Sequence, residues 1–376
     1  MKIVVAPDSY KGSLSSIQVA DIMCKAIAEL TPEANVISMP MADGGESALD
    51  AMLIATQGKR INLTCTGPLG SSIKSEYAIV DGHTAIIECA SIAGLPQVPV
   101  ELRNPDHTTS FGIGEVMKDA LDKNCKEIVV GLGGSAVNDG GLGMLQALGV
   151  QMLDQNGKKV GHFGRDIHNI VALDFSNLDF RLDHIKLSVA CDVNNPLCGE
   201  KGATYVYGPQ KGATSSQLEL YDHSLQQYGE LVERSVHKNI MEHPGAGAAG
   251  GLGFALLSIG AELVSGAELL ANAVNMEEAM KEADLVFTGE GQSDEQTLYG
   301  KAPGFVAALA RKQHIPTVLI SGSLSGNLEV LRNRFSGCFS IVNKPLSLEE
   351  CIESAEELLF EQMKQIMQLI NDIKVK

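Results

Sequence analysis

Six carboxylates and two lysines carry the chemical interest of this chain. Asp8, Asp43, Asp139, Asp192, Glu290 and Asp294 all fall where short apolar runs give way to loops or glycine-rich turns. Taken singly, each reads as a turn or helix-capping residue, because short acids favour such places. As a set, at the carboxyl ends of strands in two parts of the chain, they predict a shared acidic cleft. Lys11 follows the first strand and would stand at the mouth of that cleft, where a cation meets an anionic substrate or phosphate; a solvated loop lysine is the alternative. Lys211, in Tyr207-Gly208-Pro209-Gln210-Lys211-Gly212, offers the same choice. Phosphoryl transfer needs little more than such groups: anchors for a nucleotide, Mg2+ held by carboxylate and water, and a base beside the attacking hydroxyl. The nine histidines sit in unrelated settings, His107 and His243 beside loops, and no Ser/His/Asp or Cys/His arrangement emerges.

The stretch best suited to hold an anion runs over residues 127–149. Ile128, Val129 and Val130 read as a buried strand, and a run of small residues follows in which Ser135, Asn138 and Asp139 are the only polar side chains; an apolar helix then begins. Glycines let the backbone approach a ligand, and amide groups at a helix start attract negative charge. An ordinary tight crossover has the same appearance. Recurrence favours a ligand: the same order of strand or loop, glycines, lone carboxylate and helix start returns at residues 42–46, 245–253 and 288–294.

Phosphate-binding signatures narrow the choice. A GxxxxGK[ST] loop is missing, since Gly300-Lys301 lacks both the upstream glycine and the hydroxyl. Gly131-x-Gly133-x-x-Ala136 matches the GxGxxA dinucleotide fingerprint after a strand, and Asp154 lies at about the right distance for a ribose contact. An NAD-dependent dehydrogenase is therefore a rival reading. Asn138 and Asp139 weaken it by placing two polar side chains in a helix start that usually packs as bare apolar surface.

A chain of 376 residues is too long for one typical domain, so about two are expected. Formal charge is −17, from 29 Lys and Arg against 46 Asp and Glu, which argues against nucleic acid or an anionic membrane surface as the main partner. Eight cysteines without a CxxC pair read as reduced residues of a cytoplasmic protein. The start, MKIVVAP, is too short an apolar run for a signal peptide, and none reaches the roughly 18 residues of a membrane span.

The elements that must position these groups follow in order. Residues 3–6 form a strand, 7–13 a polar loop, and a helix follows the capping box Ser15-x-x-Gln18. Residues 36–41 form a second strand, and Asp43-Gly44-Gly45-Glu46 opens a second helix, so the start reads β-α-β-α, the pattern of a parallel sheet. Asp81-Gly82 predicts a hairpin between residues 77–80 and 83–88, and Asn156-Gly157 another. A helix over 110–121, a strand over 185–191 and a helix over 216–236 with a box at Ser216-x-x-Glu219 complete a mixed middle. Parallel grammar returns after a cap at Asn275-x-x-Glu278, with strands at 285–287, 317–321 and 338–342 and a helix at 303–313. A single amphipathic helix from Leu348 carries Ile352, Ala355, Leu359, Met363, Ile366, Ile370 and Ile373 on one face, a core cover or, alternatively, a homodimer seam. The fold class is thus α/β with two domains: a Rossmann-like doubly wound parallel sheet from residues 1–61 plus 275–376, and an inserted α/β domain with a mixed sheet from 62–274. Loops at the strands' carboxyl ends would then face an interdomain cleft.

Seven stretches together resemble the bacterial glycerate kinases of the family without a P-loop: APDSYKGSLSS (6–16), MADGGE (41–46), VGLGGSAVNDGGLGMLQALG (130–149), ACDVNNPLCG (190–199), YGPQKGAT (207–214), HPGAGAAGGLGFAL (243–256) and FTGEGQSDEQT (287–297). Small departures are Tyr10, where a phenylalanine is common, and Val137, where a threonine is usual. The resemblance implies a two-domain enzyme that moves the γ-phosphoryl group of ATP to a hydroxyl of D-glycerate with Mg2+ in a bacterial cytoplasm, giving 2-phosphoglycerate in preference to 3-phosphoglycerate. A non-catalytic sugar-acid sensor on the same scaffold is the other alternative, and it lacks here the basic DNA-binding segment such sensors usually carry.

On that resemblance, Asp8, Ser9, Lys11, Asp43, Gly44, Gly133, Gly134, Ser135, Asn138 and Asp139 are expected at the substrate or its phosphate, with Lys11 neutralising charge. Gly247, Gly250, Gly251, Lys211, Thr288, Gly289 and Glu290 are expected at the nucleotide. Asp192 and Asp294 are the candidates for base and metal ligand, in either order, with Glu290 as a further metal ligand.

Overall fold

The structure, a computed structural model, describes residues 1–41, 58–298 and 301–374. The helix expected after Asp43-Gly44 lies outside these residues. The chain divides into two compact units, one of Met1–Asp43 with Ser265–Lys376 and one of Gly44–Val264.

Five parallel strands form the sheet of the first unit, in the spatial order Gly337–Ser340, Thr317–Ser321, Leu285–Thr288, Lys2–Val5, Asn35–Ser38. The central three, Lys2–Val5, Leu285–Thr288 and Thr317–Ser321, are short and largely buried, because both faces are covered. On one face Ile3, Val5, Phe287 and Ile320 pack under the helices Ser16–Leu30 and Ala355–Lys374; on the other, Leu319 meets Ala307, Leu331 and Phe335. This is a doubly wound sheet. Strand order reverses at Lys2–Val5, which puts the topological switch between it and Leu285–Thr288, the place where such sheets bind ligands.

The second unit holds a six-stranded mixed sheet, in the order Glu262–Val264, Lys186–Ala190, Glu127–Gly131, Thr84–Glu88, Ser72–Val80, Lys59–Thr66. Only Ser72–Val80 runs against its neighbours. The Asp81-Gly82 hairpin forms as expected: both residues take positive φ and Val80 pairs with Thr84. Because Lys59–Thr66 pairs along its whole length with Ser72–Val80, it belongs with the inserted unit, ahead of the 61/62 boundary read from sequence. The helix Gly266–Ala273 likewise falls in the first unit, ahead of residue 275.

Several local expectations change. The helix Ser16–Leu30 has the expected Ser15/Gln18 box, but Ser215–Val236 is capped by Thr214 with Gln217, two residues ahead of the expected Ser216 and Glu219. Asn275 precedes its helix in a left-handed conformation and makes no side-chain cap bond. The C-terminal helix breaks at Ser354 into Leu348–Glu353 and Ala355–Lys374. Leu359, Met363 and Ile366 are buried against Ser16–Leu30, whereas Ile352 lies in the first piece and Ile373 is exposed.

Candidate active site

In the first unit, two loops leave adjacent strands at the switch point and lock together. The Asp8 amide donates to the Gly289 carbonyl at 2.7 Å, and the Thr288 hydroxyl donates to the Ala6 carbonyl at 2.8 Å. The Tyr10 hydroxyl, buried and held neutral by burial and the Glu290 charge, donates to the Ile320 carbonyl at 2.9 Å. A β-carbon at Gly289 would lie 1.7 Å from the Ile320 carbonyl oxygen, so only glycine lets these turns meet. Thr288 and Gly289 therefore spend their polar and steric character on joining strands.

Beyond these turns opens a pocket of about 560 Å³, with Asp8, Ser9, Lys11, Glu290 and Asp294 in its wall. Glu290 is buried and fully engaged. Its Oε1 accepts from Ser293 Oγ at 3.0 Å and Thr297 Oγ1 at 2.6 Å, and its Oε2 accepts from Lys301 Nζ at 3.1 Å. Asp294 Oδ1 accepts from the Gln296 amide at 2.8 Å; its other oxygen has no partner among the described residues. Lys301 also lines the pocket and was missed in the sequence, where it entered only as a failed P-loop. It stands at the N-cap of Ala302–Lys312, whose Pro303 marks a helix start, and a cation at that boundary was the available signal.

In the second unit, residues 132–141 connect Glu127–Gly131 to a helix of only six residues, Leu142–Ala147. Asp139 is fully buried and organises this loop: it accepts from the Ser110 amide and hydroxyl at 2.8 and 2.7 Å and from the Gly141 and Gly143 amides at 3.1 and 3.3 Å. Burial pushes its carboxyl up, against the opposing pull of these donors. Asn138 is equally buried. Its Nδ2 donates to Thr204 Oγ1 at 3.0 Å, while its Oδ1 has no partner, an acceptor held ready within the loop. Lys211 lies buried beneath, donating to the Val137 carbonyl at 2.6 Å; burial pushes its ammonium down from 10.5 to about 8. Gly250 and Gly251 take positive φ and press on the same loop, the Gly140 amide donating to the Gly250 carbonyl at 2.9 Å. Gly247 packs tightly against the Pro196 carbonyl. Gly133 and Gly134 are exposed, Ser135 is buried, and Asp192 is exposed just past Lys186–Ala190.

The predicted residues thus gather in two sets. Asp8, Ser9, Lys11, Glu290 and Asp294 share one pocket, and Ser135, Asn138, Asp139, Lys211, Gly250 and Gly251 share one loop and its support. Asp43 and Gly44 fall outside the described residues. The dinucleotide reading fails on geometry: no helix starts at Gly131-x-Gly133-x-x-Ala136, and Asp154 accepts from the Asn156 and Lys158 amides in its own turn.

A model of the glycerate kinase family matches residues 3–371. The chain belongs to this family. It is 44% identical to the glycerate 2-kinase of Escherichia coli strain K12, with 94% of each chain covered. It is 43% identical to the glycerate kinase of Halalkalibacterium halodurans over 95% of each. A solved structure described as glycerate kinase 2 from Salmonella typhimurium LT2 matches all of both chains with a TM-score of 0.89 at 40% identity. A member of the glycerate kinase family is a kinase, so the dehydrogenase and sensor alternatives both fall. None of its described helices is long and apolar enough to cross a membrane.

A kinase of this family raises the question of a metal. Among the described residues, no group of three or more His, Cys, Asp or Glu side chains could hold one. Glu290 fits poorly, because both its oxygens are engaged by Ser293, Thr297 and Lys301. Asp294, with a spare hard oxygen in a pocket wall, fits Mg2+, which usually takes one or two carboxylates and completes its shell with phosphate and water.

Proposed function

We propose that the protein transfers the γ-phosphoryl group of ATP to the 2-hydroxyl of D-glycerate, in the cytoplasm and with Mg2+. One observation carries this reading: near full-length likeness to a relative named glycerate 2-kinase, at 44% identity. The geometry lends it chemical sense. Phosphoryl transfer asks the protein for positioning and charge compensation more than for covalent chemistry. In this reading Lys11 compensates phosphate or carboxylate charge, and the 132–141 loop offers amides and the Asn138 Oδ1 acceptor to the small hydroxy acid. Asp192 takes the proton from the attacking hydroxyl. Asp294 would hold Mg2+, which would supply positive charge to offset the negative charge developing on the transferred phosphoryl group.

Phosphorus NMR of the product tests activity and regiochemistry together. A new monoester signal split into a doublet by the single C2 hydrogen is expected from D-glycerate and MgATP. A triplet, from the two C3 hydrogens, overturns the choice of hydroxyl, and no new ester overturns the kinase assignment to glycerate.

A further inference from the structure

The pocket of the first unit is lined by two unlike sets of side chains. Lys11 and Lys301 belong to the polar set. Lys301 is braced from behind: its Nζ donates to Glu290 Oε2, while Ser293 and Thr297 donate to Glu290 Oε1, and Ser293 in turn meets Ser321 Oγ at 2.7 Å. The ammonium therefore has a fixed seat, and with its side chain 34% exposed it keeps donors for a ligand. The same lining holds an apolar set, Ile341, Val342, Leu348 and Ile352. Leu348 leaves 76% of its surface exposed and Ile352 39%. Apolar side chains left uncovered inside a concavity mark a binding surface.

We propose that this pocket is the nucleotide site, resting on the kinase reading above, with Lys301 on the phosphate chain and the Ile341, Val342, Leu348 and Ile352 wall against the purine base. Size and place agree. About 560 Å³ suits a drug-sized ligand and exceeds what a three-carbon acid fills. The pocket also lies at the carboxyl ends of the strands beside the switch point, where doubly wound sheets take nucleotides. Glu290 acts here as a positioning residue for Lys301.

Calorimetric titration of the full-length protein without glycerate, using ATP and inorganic tripolyphosphate as separate probes, reads the two sets of side chains independently. Lys301→Met is expected to weaken both probes about 10- to 100-fold, the range of a charge-assisted hydrogen bond, and Lys301→Arg to recover most of the loss. Ile352→Ser, with Leu348→Ser as a second variant on the exposed rim, is expected to weaken ATP about 3- to 10-fold and leave tripolyphosphate within about twofold. Unchanged binding of tripolyphosphate to folded Lys301→Met overturns the phosphate seat. Equal loss of both probes in the rim variants overturns the base wall. If the variants raise KM for D-glycerate and not for ATP, the pocket belongs to the acceptor and the proposal falls while the kinase reading stands. Nucleotide binding with the expected pattern in a protein that fails to phosphorylate glycerate supports the pocket and removes the kinase reading.

Discussion

Lys211 is a cation enclosed by protein, and its chemistry is measurable through stability. Its ordinary value of 10.5 falls to about 8 in the fold, while the neighbouring Cys89 thiol is pushed up to about 12 and stays neutral. The unfolded chain therefore binds more protons at Lys211 than the folded one between about pH 8 and 10.5, and stability from this group rises with pH across that window. Relative to Lys211→Met, the wild type should gain on the order of 3 kcal/mol between pH 7.5 and pH 10.5, read by urea denaturation; a flat difference sinks the assignment. At the catalytic level, Asp192→Asn and Asp294→Asn should each lower kcat about 10²- to 10⁴-fold with folding intact, and only Asp294→Asn should raise the Mg2+ concentration needed for half-maximal rate. Near-normal kcat in both removes them from the chemistry. These roles were only half legible in the sequence. Asp8 and Glu290 could be placed at strand ends because apolar runs stop beside them, but nothing local tells that Glu290 is saturated by Ser293, Thr297 and Lys301. Saturation depends on partners set by tertiary packing.

At the scale of elements, Gly250, Gly251 and Gly289 fit one backbone against another. A β-carbon at Gly250 would stand 2.1 Å from the Val137 carbonyl oxygen and 2.6 Å from Asn138 Cα, at φ +71°. Gly260, at φ +93°, would meet nothing within 4 Å. Both alanine substitutions incur left-handed strain of about 1–2 kcal/mol, and Gly250→Ala adds overpacking of about 1–3 kcal/mol. Denaturation midpoints should separate the two, and kcat should fall in Gly250→Ala alone because the 137–140 turn moves; equal penalties would show that the close contact relaxes freely. Caps and turns were readable where the determinant is local, as with Ser15 and Gln18 or Asp81 and Gly82. The cap at Thr214 escaped because two candidate frames two residues apart satisfy the same pattern, and the break at Ser354 because the apolar spacing Ile352, Ala355, Leu359 runs on through it.

The whole molecule sets a field of its own. With formal charge −17, it repels the anions a glycerate kinase must collect, and the lysines of the pocket act only at short range. At about 10 mM salt the Debye length is about 30 Å and the whole surface is felt; at about 150 mM it is about 8 Å and the pocket dominates. kcat/KM for D-glycerate and ATP should therefore rise between these salt concentrations, and a steady fall would show that the local lysines govern approach at all ranges. The strand pairing at the switch point has a last consequence, in time. Ala6 and Thr288, joined by a hydrogen bond, are 282 residues apart. On a ribosome adding about 5–20 residues per second, roughly 15–60 s pass before the first strand of the nascent chain, already able to pair with Asn35–Ser38, can meet Leu285–Thr288. The inserted unit emerges complete during that wait, so the turns that line the switch-point pocket are among the last features the newborn protein acquires.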